Sequence, residues 1–257
     1  MAQSFGGSAV IVTGAASGIG AAAAQRFAAE GASVCLADRD LRGAERVAAL
    51  CVKLGQKAIA LEVDVSKAAD NQRMIAKTIA AFGRINVAYL NAGYLGPLTG
   101  FDAVDEQMFD RIIQTNLYGC FHGIRALYPK IERGGAIAVT ASIAGLQGLP
   151  ENPAYAASKH GVLGLVRSYS AAFAAKNVRI NAICPGGVAT PMIGIPQSDA
   201  LQDPDKLQMP DFRGTSSAQQ VAELALFLCS TRASAITGAS YVVDAGWTAV
   251  LGPQSTS

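Results

Sequence analysis

The stretch Thr13-Gly-Ala-Ala-Ser-Gly-Ile-Gly20 joins the apolar run 9–12 to an alanine-rich segment that has the composition of a helix. Glycine permits a tight turn and lets the backbone approach a pyrophosphate, which then rests at the N-terminus of the following helix. A glycine-rich match is informative only between a strand and a helix, and this one has that context. The stretch therefore predicts a dinucleotide-binding turn, with five candidate binding residues: Gly14, Ser17, Gly18, Ile19 and Gly20.

Beyond this turn, apolar strand-like runs alternate with helical patterns along the whole chain. Strands are predicted at 9–12, 33–37, 57–64, 85–90, 135–141, 179–184 and 240–244, and helices at 19–30, 41–54, 67–82, 106–128, 154–176 and 218–228. Repeated β–α units favour a parallel sheet with right-handed crossovers and helices on both faces. We expect an α/β fold, a single-domain Rossmann-like doubly wound parallel sheet of about seven strands over residues 1–257.

Composition agrees with this fold and disfavours several classes of function. The 257 residues are 51% hydrophobic and 16% charged, with 27 glycines, which suits a buried parallel sheet with tight turns. The net charge is +2 and no basic run is present, so nucleic acid is not an expected partner. No apolar stretch approaches the roughly 20 residues that span a bilayer, and the N-terminus lacks a signal-peptide pattern. We therefore expect no membrane association.

Cysteine and histidine usage argues against disulfides and metal sites. The five cysteines are odd in number, widely spaced and without a C-x-x-C motif, and only two histidines are present, His122 and His160. Such cysteines are expected to be buried, reduced side chains in a cytoplasmic protein. No dense cluster of metal ligands is visible, so we predict no metal centre. The cysteines are Cys35, Cys51, Cys120, Cys184 and Cys229.

Asp38 follows the second predicted strand, 20 residues after Gly18. A carboxylate there can accept hydrogen bonds from both ribose hydroxyls of an adenosine and would repel a 2′-phosphate, which favours NAD over NADP. The adjacent Arg39 complicates this prediction, because its guanidinium could stack on adenine or reach a phosphate. Asp64 and Val65 end the third strand, where the carboxylate could meet the adenine amino group.

The segment Asn91-Ala92-Gly93 ends the fourth predicted strand. Small residues at this place let a cofactor pass close over the carboxyl edge of a parallel sheet. An ordinary turn between a strand and a helix would have the same composition, so the motif alone leaves both interpretations open.

Tyr155 and Lys159 lie four residues apart in a predicted helix, and residues at this spacing share one helix face. A free tyrosine has a pKa of about 10, and a neighbouring cation lowers it by favouring the phenolate. The pair is therefore a candidate proton-transfer device for an alcohol or a carbonyl group. Ser142, just after the fifth strand, should also lie at the carboxyl edge of the sheet. Asn116 lies within the long predicted helix 106–128.

In order and spacing, these motifs resemble those of the short-chain dehydrogenase/reductase family. The resemblance spans about residues 9–246 and rests on the stretch 13–20, Asp64, Asn91-Ala92-Gly93, Asn116, Ser142, Tyr155-x-x-x-Lys159 and Pro185-Gly186-x-Val188-x-Thr190. The family resemblance implies hydride transfer between a nicotinamide cofactor and an alcohol or ketone. It also implies a homotetramer or homodimer built on the two long helices.

The resemblance also implies a role for each catalytic candidate. Tyr155 would be the general acid/base, and Lys159 would lower its pKa and hydrogen-bond the nicotinamide ribose. Ser142 would hold the substrate oxygen, as an oxyanion-hole donor does. Asn116 would order a water in a proton relay from Lys159. Residues at the nicotinamide end would complete the cofactor site: Pro185, Gly186, Val188 and Thr190.

The residues expected around the substrate are nearly all apolar, and none is Arg or Lys. They favour an uncharged hydrophobic secondary alcohol or ketone, such as an alicyclic, terpenoid, steroid or aryl compound. The irregular segment 192–214 is either a substrate-binding lid or a surface excursion. The expected pocket residues are Tyr94, Leu95, Ser142, Ile143, Ala144, Leu149, Gly187, Met192, Ile193 and Ile195.

Two other functions stay open at this point. A 3-oxoacyl-carrier-protein reductase would have a similar sequence, would usually use NADPH, and would need a basic patch such as Arg125, Lys130 and Arg133. A catalytically silent dinucleotide-binding sensor or scaffold would share the fold and would be favoured by loss of a catalytic residue. All four catalytic candidates are present in this chain.

Overall fold

The computed structural model describes residues 4–98, 104–196, 198 and 200–250. Its main sheet has seven parallel strands in the order β3-β2-β1-β4-β5-β6-β9. The strands are β1 (Ala9–Thr13), β2 (Ser33–Asp38), β3 (Ala58–Glu62), β4 (Val87–Leu90), β5 (Ala136–Thr140), β6 (Arg179–Pro185) and β9 (Ser240–Val243). The predicted doubly wound parallel sheet of seven strands is confirmed.

Helices cover both faces of the sheet. They are α1 (Gly18–Ala29), α2 (Leu41–Lys53), α3 (Ala68–Phe82), α4 (Glu106–Ile113), α5 (Gly119–Leu127), α6 (Pro153–Ala174) and α7 (Ala218–Cys229). The first core packs α1, α2 and α7 on one face, and the second packs α3, α5 and α6 on the other. Successive β1 residues serve both cores, with Val10 and Val12 in one and Ile11 in the other. A strand buried on both faces needs apolar residues throughout, which explains the unbroken apolar run 9–12.

The order of the strands places the functional crevice. From β1 the chain builds outward to β2 and β3, and then returns to place β4 on the other side of β1. Ligands of open α/β sheets bind beyond the carboxyl ends of the strands at such a reversal. The glycine-rich turn after β1 and the segment Asn91-Ala92-Gly93 after β4 meet at this point.

The structure corrects the long helix predicted at 106–128. A π-helical turn, Gln114–Tyr118, separates α4 from α5, and the Gly119 N–H bonds to the carbonyl of Gln114 five residues back. Periodicity alone does not show such a turn, because the apolar positions on either side of it remain in helical spacing. Turns of this type occur frequently at functional sites.

Other predicted boundaries differ from the observed ones by at most two residues. Two short strands were not predicted: β7 (Val188–Ala189) and β8 (Ser216–Ser217), which pair in parallel. All five cysteines are free and buried, as predicted. Within the described residues, no helix is both long and apolar enough to cross a membrane.

Candidate active site

A cavity of about 470 Å³ runs along the carboxyl edge of the sheet. One end is formed by the turn after β1 and by the end of β2, and the other by the start of α6 and the segment after β6. Nearly all of the predicted site residues line it: Gly14, Ser17, Gly18, Ile19, Asp38, Arg39, Asp64, Val65, Asn91, Ala92, Gly93, Tyr94, Leu95, Ser142, Ile143, Ala144, Leu149, Tyr155, Lys159, Pro185, Gly186, Gly187, Val188, Thr190, Met192 and Ile193.

Three predicted residues do not line this cavity: Gly20, Asn116 and Ile195. Gly20 instead supports the turn, because a Cβ there would lie 2.0 Å from the carbonyl oxygen of Gly14. Ile195 lies past the end of the lining segment and is 39% exposed. Sequence spacing alone does not separate residues that line the cavity from residues that support its walls.

The glycine-rich turn packs tightly on the end of β4. Gly14 has φ +67°, and a Cβ on it would lie 2.9 Å from the Cα of Ala92. Only glycine tolerates this conformation and this approach together without strain. The backbone of the turn consequently forms an open cradle along the cavity, and a dinucleotide pyrophosphate fits this kind of surface.

Asp38 holds the turn in place. Its Oδ2 accepts from the Ala16 N–H at 2.9 Å, and its Oδ1 accepts from the Asp40 N–H at 3.0 Å. Arg46 of α2 donates to the carbonyl of Ala16 at 3.0 Å, so both backbone groups of that residue are bonded. Arg39 is exposed at the rim of the cavity. The carboxylate that lines the cavity thus also orders the turn.

Asp64 lies where the adenine end of the cavity was expected. Its Oδ1 accepts from the hydroxyl of Ser66 at 2.6 Å, and its Oδ2 lies 3.6 Å from Nζ of Lys67. Burial works to raise the pKa of Asp64, but the Ser66 hydrogen bonds and the Lys67 charge outweigh it and lower this pKa. The carboxylate is therefore ionised at neutral pH, and Ser66 and Lys67 already interact with its two oxygens.

Side-chain hydrogen bonds tie together the ends of the three central strands. The Thr13 hydroxyl oxygen accepts from the backbone N–H groups of Asn91 and Ala92 at 2.9 and 3.1 Å. The Asn91 amide donates to the carbonyl of Thr13 at 3.2 Å, and its Oδ1 lies 3.0 Å from the Thr140 hydroxyl. Asn91-Ala92-Gly93 is therefore more than an ordinary turn, because it joins β1 to β5 beneath the cavity.

The proposed proton-transfer residues meet at the other end of the cavity. Tyr155, on the first turn of α6, is only 9% exposed and is hydrogen-bonded to Ser142. Ser142 has extended backbone directly after β5, and its hydroxyl accepts from the Ala144 N–H at 3.1 Å. Lys159 is buried and donates from Nζ to the carbonyl of Thr140 at 2.9 Å.

The expected lowering of the Tyr155 pKa by Lys159 is not seen. Burial raises the pKa of Tyr155 to about 12, and the Ser142 hydrogen bond offsets this only in part. Burial also lowers the pKa of Lys159 to about 8. The lysine ammonium bonds to Thr140 and lies 5.5 Å from the centre of the tyrosine ring. Desolvation therefore exceeds the charge effect that the four-residue spacing suggested.

Asn116 lies on the π-helical turn, behind the cavity wall. Its Oδ1 accepts from the Tyr94 N–H at 2.7 Å, and its Nδ2 donates to the Tyr94 carbonyl and the Ser158 hydroxyl, both at 3.0 Å. A Cβ on Gly93 would lie 3.4 Å from Nζ of Lys159 and 3.5 Å from Oδ1 of Asn116. The two side chains thus flank the same glycine, with Asn116 supporting the wall.

The end of the cavity where sequence analysis expects the nicotinamide is built around β7. Its Val188 pairs with Ser216 of β8, and the Thr190 hydroxyl donates to the Val188 carbonyl at 3.2 Å. A Cβ on Gly186 would lie 2.9 Å from Cβ of Asp244, so this segment lies tightly against the end of β9. The short β7–β8 pair therefore anchors a segment that sequence patterns left irregular.

The substrate end has mostly apolar walls. Among the described residues that line the cavity, the charged ones are Asp38, Arg39, Asp64 and Lys159, and of these Lys159 is the one that lies beside Tyr155. The Arg111 guanidinium lies over the Tyr94 ring, 4.5 Å from the ring centre. Seven residues that line the cavity were not among the predicted site residues: Ala37, Val63, Leu98, Thr115, Thr140, Ala141 and Pro191. Five of them directly adjoin a predicted site residue in the chain, which was a usable signal; Leu98 and Thr140 do not.

Comparison with known proteins gives consistent results. The sequence model of the family described as enoyl-(acyl carrier protein) reductase matches residues 14–248. The chain is 34% identical over 250 residues to the cyclohexanol dehydrogenase of Acinetobacter sp. (strain SE19), covering 96% of this chain and 98% of that protein.

Two solved structures are similar as well. The crystal structure of levodione reductase has a TM-score of 0.84 at 30% identity, covering 96% of this chain and 100% of the other. A short-chain dehydrogenase from Mycobacterium paratuberculosis bound to NAD has a TM-score of 0.86 at 27% identity, with the same coverage. Similarity along almost the entire chain shows that this chain shares its whole fold with these proteins.

Proposed function

The chain belongs to the short-chain dehydrogenase/reductase family, and we propose that it transfers hydride between NAD(H) and an alicyclic secondary alcohol or its ketone. One observation carries the proposal: Ser142, Tyr155 and Lys159 meet at the apolar end of a cavity whose other end is a glycine-rich turn. A proton-transfer site and a dinucleotide cradle in one cavity suit a redox reaction at a carbinol carbon.

The residues of the chain fit a bound dinucleotide. Gly14, Ser17 and Gly18 of the glycine-rich turn border the cavity at the start of α1, where a pyrophosphate could approach the backbone. In this proposal Asp38 accepts hydrogen bonds from ribose hydroxyls, and Val188 and Thr190 hold the carboxamide of the nicotinamide. When bound, the dinucleotide supplies or accepts the hydride, while the protein supplies position and electrostatics.

Tyr155 acts as the general acid/base in this proposal. Because burial raises its pKa to about 12, the hydroxyl is protonated at neutral pH and is ready to donate to a carbonyl oxygen. Ser142 holds that oxygen and stabilises the charge that develops on it during reduction. In the oxidation direction, Tyr155 first releases its own proton, and its phenolate oxygen then accepts the proton of the alcohol.

Lys159 and Asn116 serve the proton path. The Lys159 pKa of about 8 lies close to neutrality, so this ammonium can exchange a proton with solvent more readily than an ordinary lysine. Asn116, whose Oδ1 lies near Gly93 as Lys159 does, would order a water that connects the lysine to solvent. The carbonyl of Thr140 keeps the ammonium aligned below the cavity.

NAD is the proposed cofactor rather than NADP. The Asp38 carboxylate lies at the adenosine end and would repel a 2′-phosphate. Arg39 lies at the same rim and is the residue that could offset this repulsion. The NAD found with the mycobacterial short-chain dehydrogenase supports the same choice.

An uncharged ring is the proposed substrate. Its expected walls are the apolar side chains Leu95, Ile143, Leu149, Met192 and Ile193, which line the cavity near Tyr155. Burial of hydrocarbon against these apolar side chains is favourable, and they carry no positive charge that could bind a carboxylate or phosphate. The activity named for the Acinetobacter relative, cyclohexanol dehydrogenase, fits a ring of this kind.

The segment 192–214 is proposed to close over the substrate. Met192 and Ile193 line the cavity but are 50% and 44% exposed, so closure would bury apolar surface. Residues 197 and 199 lie outside the described residues.

We also propose a homotetramer or homodimer in a reducing cytoplasm. The five free thiols and the exposed Phe109 and Tyr118 beside the π-helical turn support this setting.

The test is the rate of NADH or NADPH formation at 340 nm with a panel of alicyclic, terpenoid, steroid and aryl secondary alcohols. Turnover of cyclohexanol-type alcohols with NAD is the expected result. An acetoacetyl thioester with NADPH is the counter-test, and turnover of that compound alone would make the protein a 3-oxoacyl reductase. Dinucleotide binding without turnover of any compound would identify a sensor or scaffold.

A further inference from the structure

The wall segment, residues 94–97, forms part of the substrate end of the cavity without belonging to a strand or helix. Two buried asparagines bind its backbone instead. Asn116 bonds to both backbone groups of Tyr94. Asn152 donates from Nδ2 to the carbonyl of Leu95 at 2.6 Å and to that of Pro97 at 3.3 Å.

Asn152 also caps the helix that carries Tyr155. It is the N-cap residue of α6, and its Oδ1 accepts from the backbone N–H of Tyr155 at 2.9 Å. Its own N–H donates to the carbonyl of Leu149, another cavity residue, at 3.0 Å. One residue therefore bonds to both apolar walls and to the backbone of the proposed acid/base.

The packing around Asn152 leaves it little freedom. The side chain is 0% exposed. A Cβ on Gly96, which has φ +75°, would lie 3.2 Å from its Nδ2 and 2.9 Å from Cδ1 of Ile112. A buried amide whose donor and acceptor are both paired is held in one orientation, because any rotation leaves a polar group unpaired.

We propose that Asn152 is a specificity-determining positioning residue, which sets the distance between the apolar wall at Leu95 and the hydroxyl of Tyr155. It touches neither substrate nor cofactor and acts through the backbone of the wall segment. Loss of its donor arm frees the carbonyls of Leu95 and Pro97, and the wall recedes from the bound ring. This inference rests on the proposed alcohol dehydrogenase function.

The substitution Asn152→Ser separates the hydrogen-bond donor function of the side chain from its acceptor function. Serine retains an oxygen that can cap α6 but lacks a donor that reaches Leu95. We expect the KM for a cyclohexanol-type alcohol to rise about tenfold or more, with a smaller change in kcat, as loss of uniform binding predicts. The dissociation constant for NADH stays within about twofold, because the cofactor cradle is untouched. The preference among ring sizes shifts toward larger rings.

Asn181→Ser is the matched control. Asn181 is likewise 0% exposed, donates from Nδ2 to the carbonyl of Ile236 at 2.8 Å and accepts from the Ala239 N–H at 3.1 Å. It lies on β6, away from the cavity lining. This variant should lose stability while keeping the wild-type KM. An unchanged KM in folded Asn152→Ser, or an equal change in both variants, overturns the proposal.

Hydrogen exchange of the backbone amides in the wall segment gives a readout that needs no substrate. Exchange at the amides of residues 94–96 should be faster in Asn152→Ser than in wild type or Asn181→Ser, and equal exchange contradicts the proposal. Asn152→Asp, which keeps the cap and also removes the donor, replaces the serine variant if that one does not fold. If the wild type oxidises no alcohol, the proposed function fails, and hydrogen exchange alone decides the role of Asn152.

Discussion

The Nζ of Lys159 donates a hydrogen bond to the carbonyl oxygen of Thr140 at 2.9 Å, which ties the first turns of α6 to the end of β5. The hydroxyl of the same threonine lies 2.8 Å from that of Tyr89 and 3.0 Å from Oδ1 of Asn91. The buried ammonium thus belongs to a polar network under the cavity. Its position beside the site depends on the sheet as well as on its spacing from Tyr155.

Tyr155→Phe removes the proposed acid/base while retaining the ring. We expect kcat to fall by about 10²–10⁴-fold, the usual contribution of a positioned proton donor. The dissociation constant for NADH should change little, because the ring and the helix remain. Steady-state rates and NADH titration of the same preparation measure both quantities. Retention of near wild-type turnover would show that another group transfers the proton.

The buried Lys159 makes stability depend on pH in a defined direction. Between the folded pKa of about 8 and the ordinary value of 10.5, the unfolded chain holds a proton that the folded protein has released. Stability therefore rises with pH in this window and is independent of this group below it. Relative to Lys159→Met, the wild-type free energy of unfolding should increase by about 3 kcal/mol across the window.

Urea unfolding of wild type and Lys159→Met at several pH values from 7 to about 10.5 tests this dependence. Taking the difference removes most contributions of the other titrating groups. A difference that stays constant over the whole range would mean that the lysine has an ordinary pKa in the folded protein.

Asp38→Asn should change both cofactor selectivity and the order of the turn. The amide loses the charge that repels a 2′-phosphate, so the affinity for NADPH should rise relative to that for NADH. Absolute NADH affinity should fall by about tenfold, since charge-assisted bonds to ribose hydroxyls are lost. Fluorescence titration with both dinucleotides measures the ratio. Unchanged NADH affinity would refute the ribose contact.

Gly20→Ala should damage the turn, because its Cβ would lie 2.0 Å from the carbonyl oxygen of Gly14. A destabilisation of about 1–3 kcal/mol is expected, with weaker dinucleotide binding. Gly164→Ala is the control within α6, where a Cβ meets no atom within 4 Å. It should stabilise the protein by up to about 1 kcal/mol, as helix propensity predicts. Equal thermal unfolding of the two variants would contradict the packing of the turn.

Local sequence patterns were sufficient to predict the position of a residue in the fold where that position depends on its neighbours in the chain. The glycine-rich turn, the strand ends at Asn91 and Ser142, and the Tyr155–Lys159 spacing all predicted positions that line one cavity. Parallel strands deliver their carboxyl ends to the same edge, so residues that follow strands converge there. For the same reason the seven-stranded sheet was predictable from alternating strands and helices.

Predictions from the sequence were incomplete for properties that depend on burial and on contacts between distant parts of the chain. The spacing of Tyr155 and Lys159 suggested a lowered tyrosine pKa, but desolvation in the folded protein raises it to about 12. Asn116 was placed correctly in the chain, yet the π-helical turn directs it to the backbone of Tyr94 and away from the cavity surface. Neither dielectric environment nor backbone register within a helix is encoded in residue spacing.

The sequence by itself determined the doubly wound sheet and the place of the glycine-rich turn, because these follow from periodicity and glycine chemistry. Only the tertiary structure decided that Asn152, 57 residues after Leu95, binds its carbonyl while capping the helix of Tyr155. Such a contact depends on two distant segments being packed together. A hydrogen bond between them has no signature in the local sequence of either one.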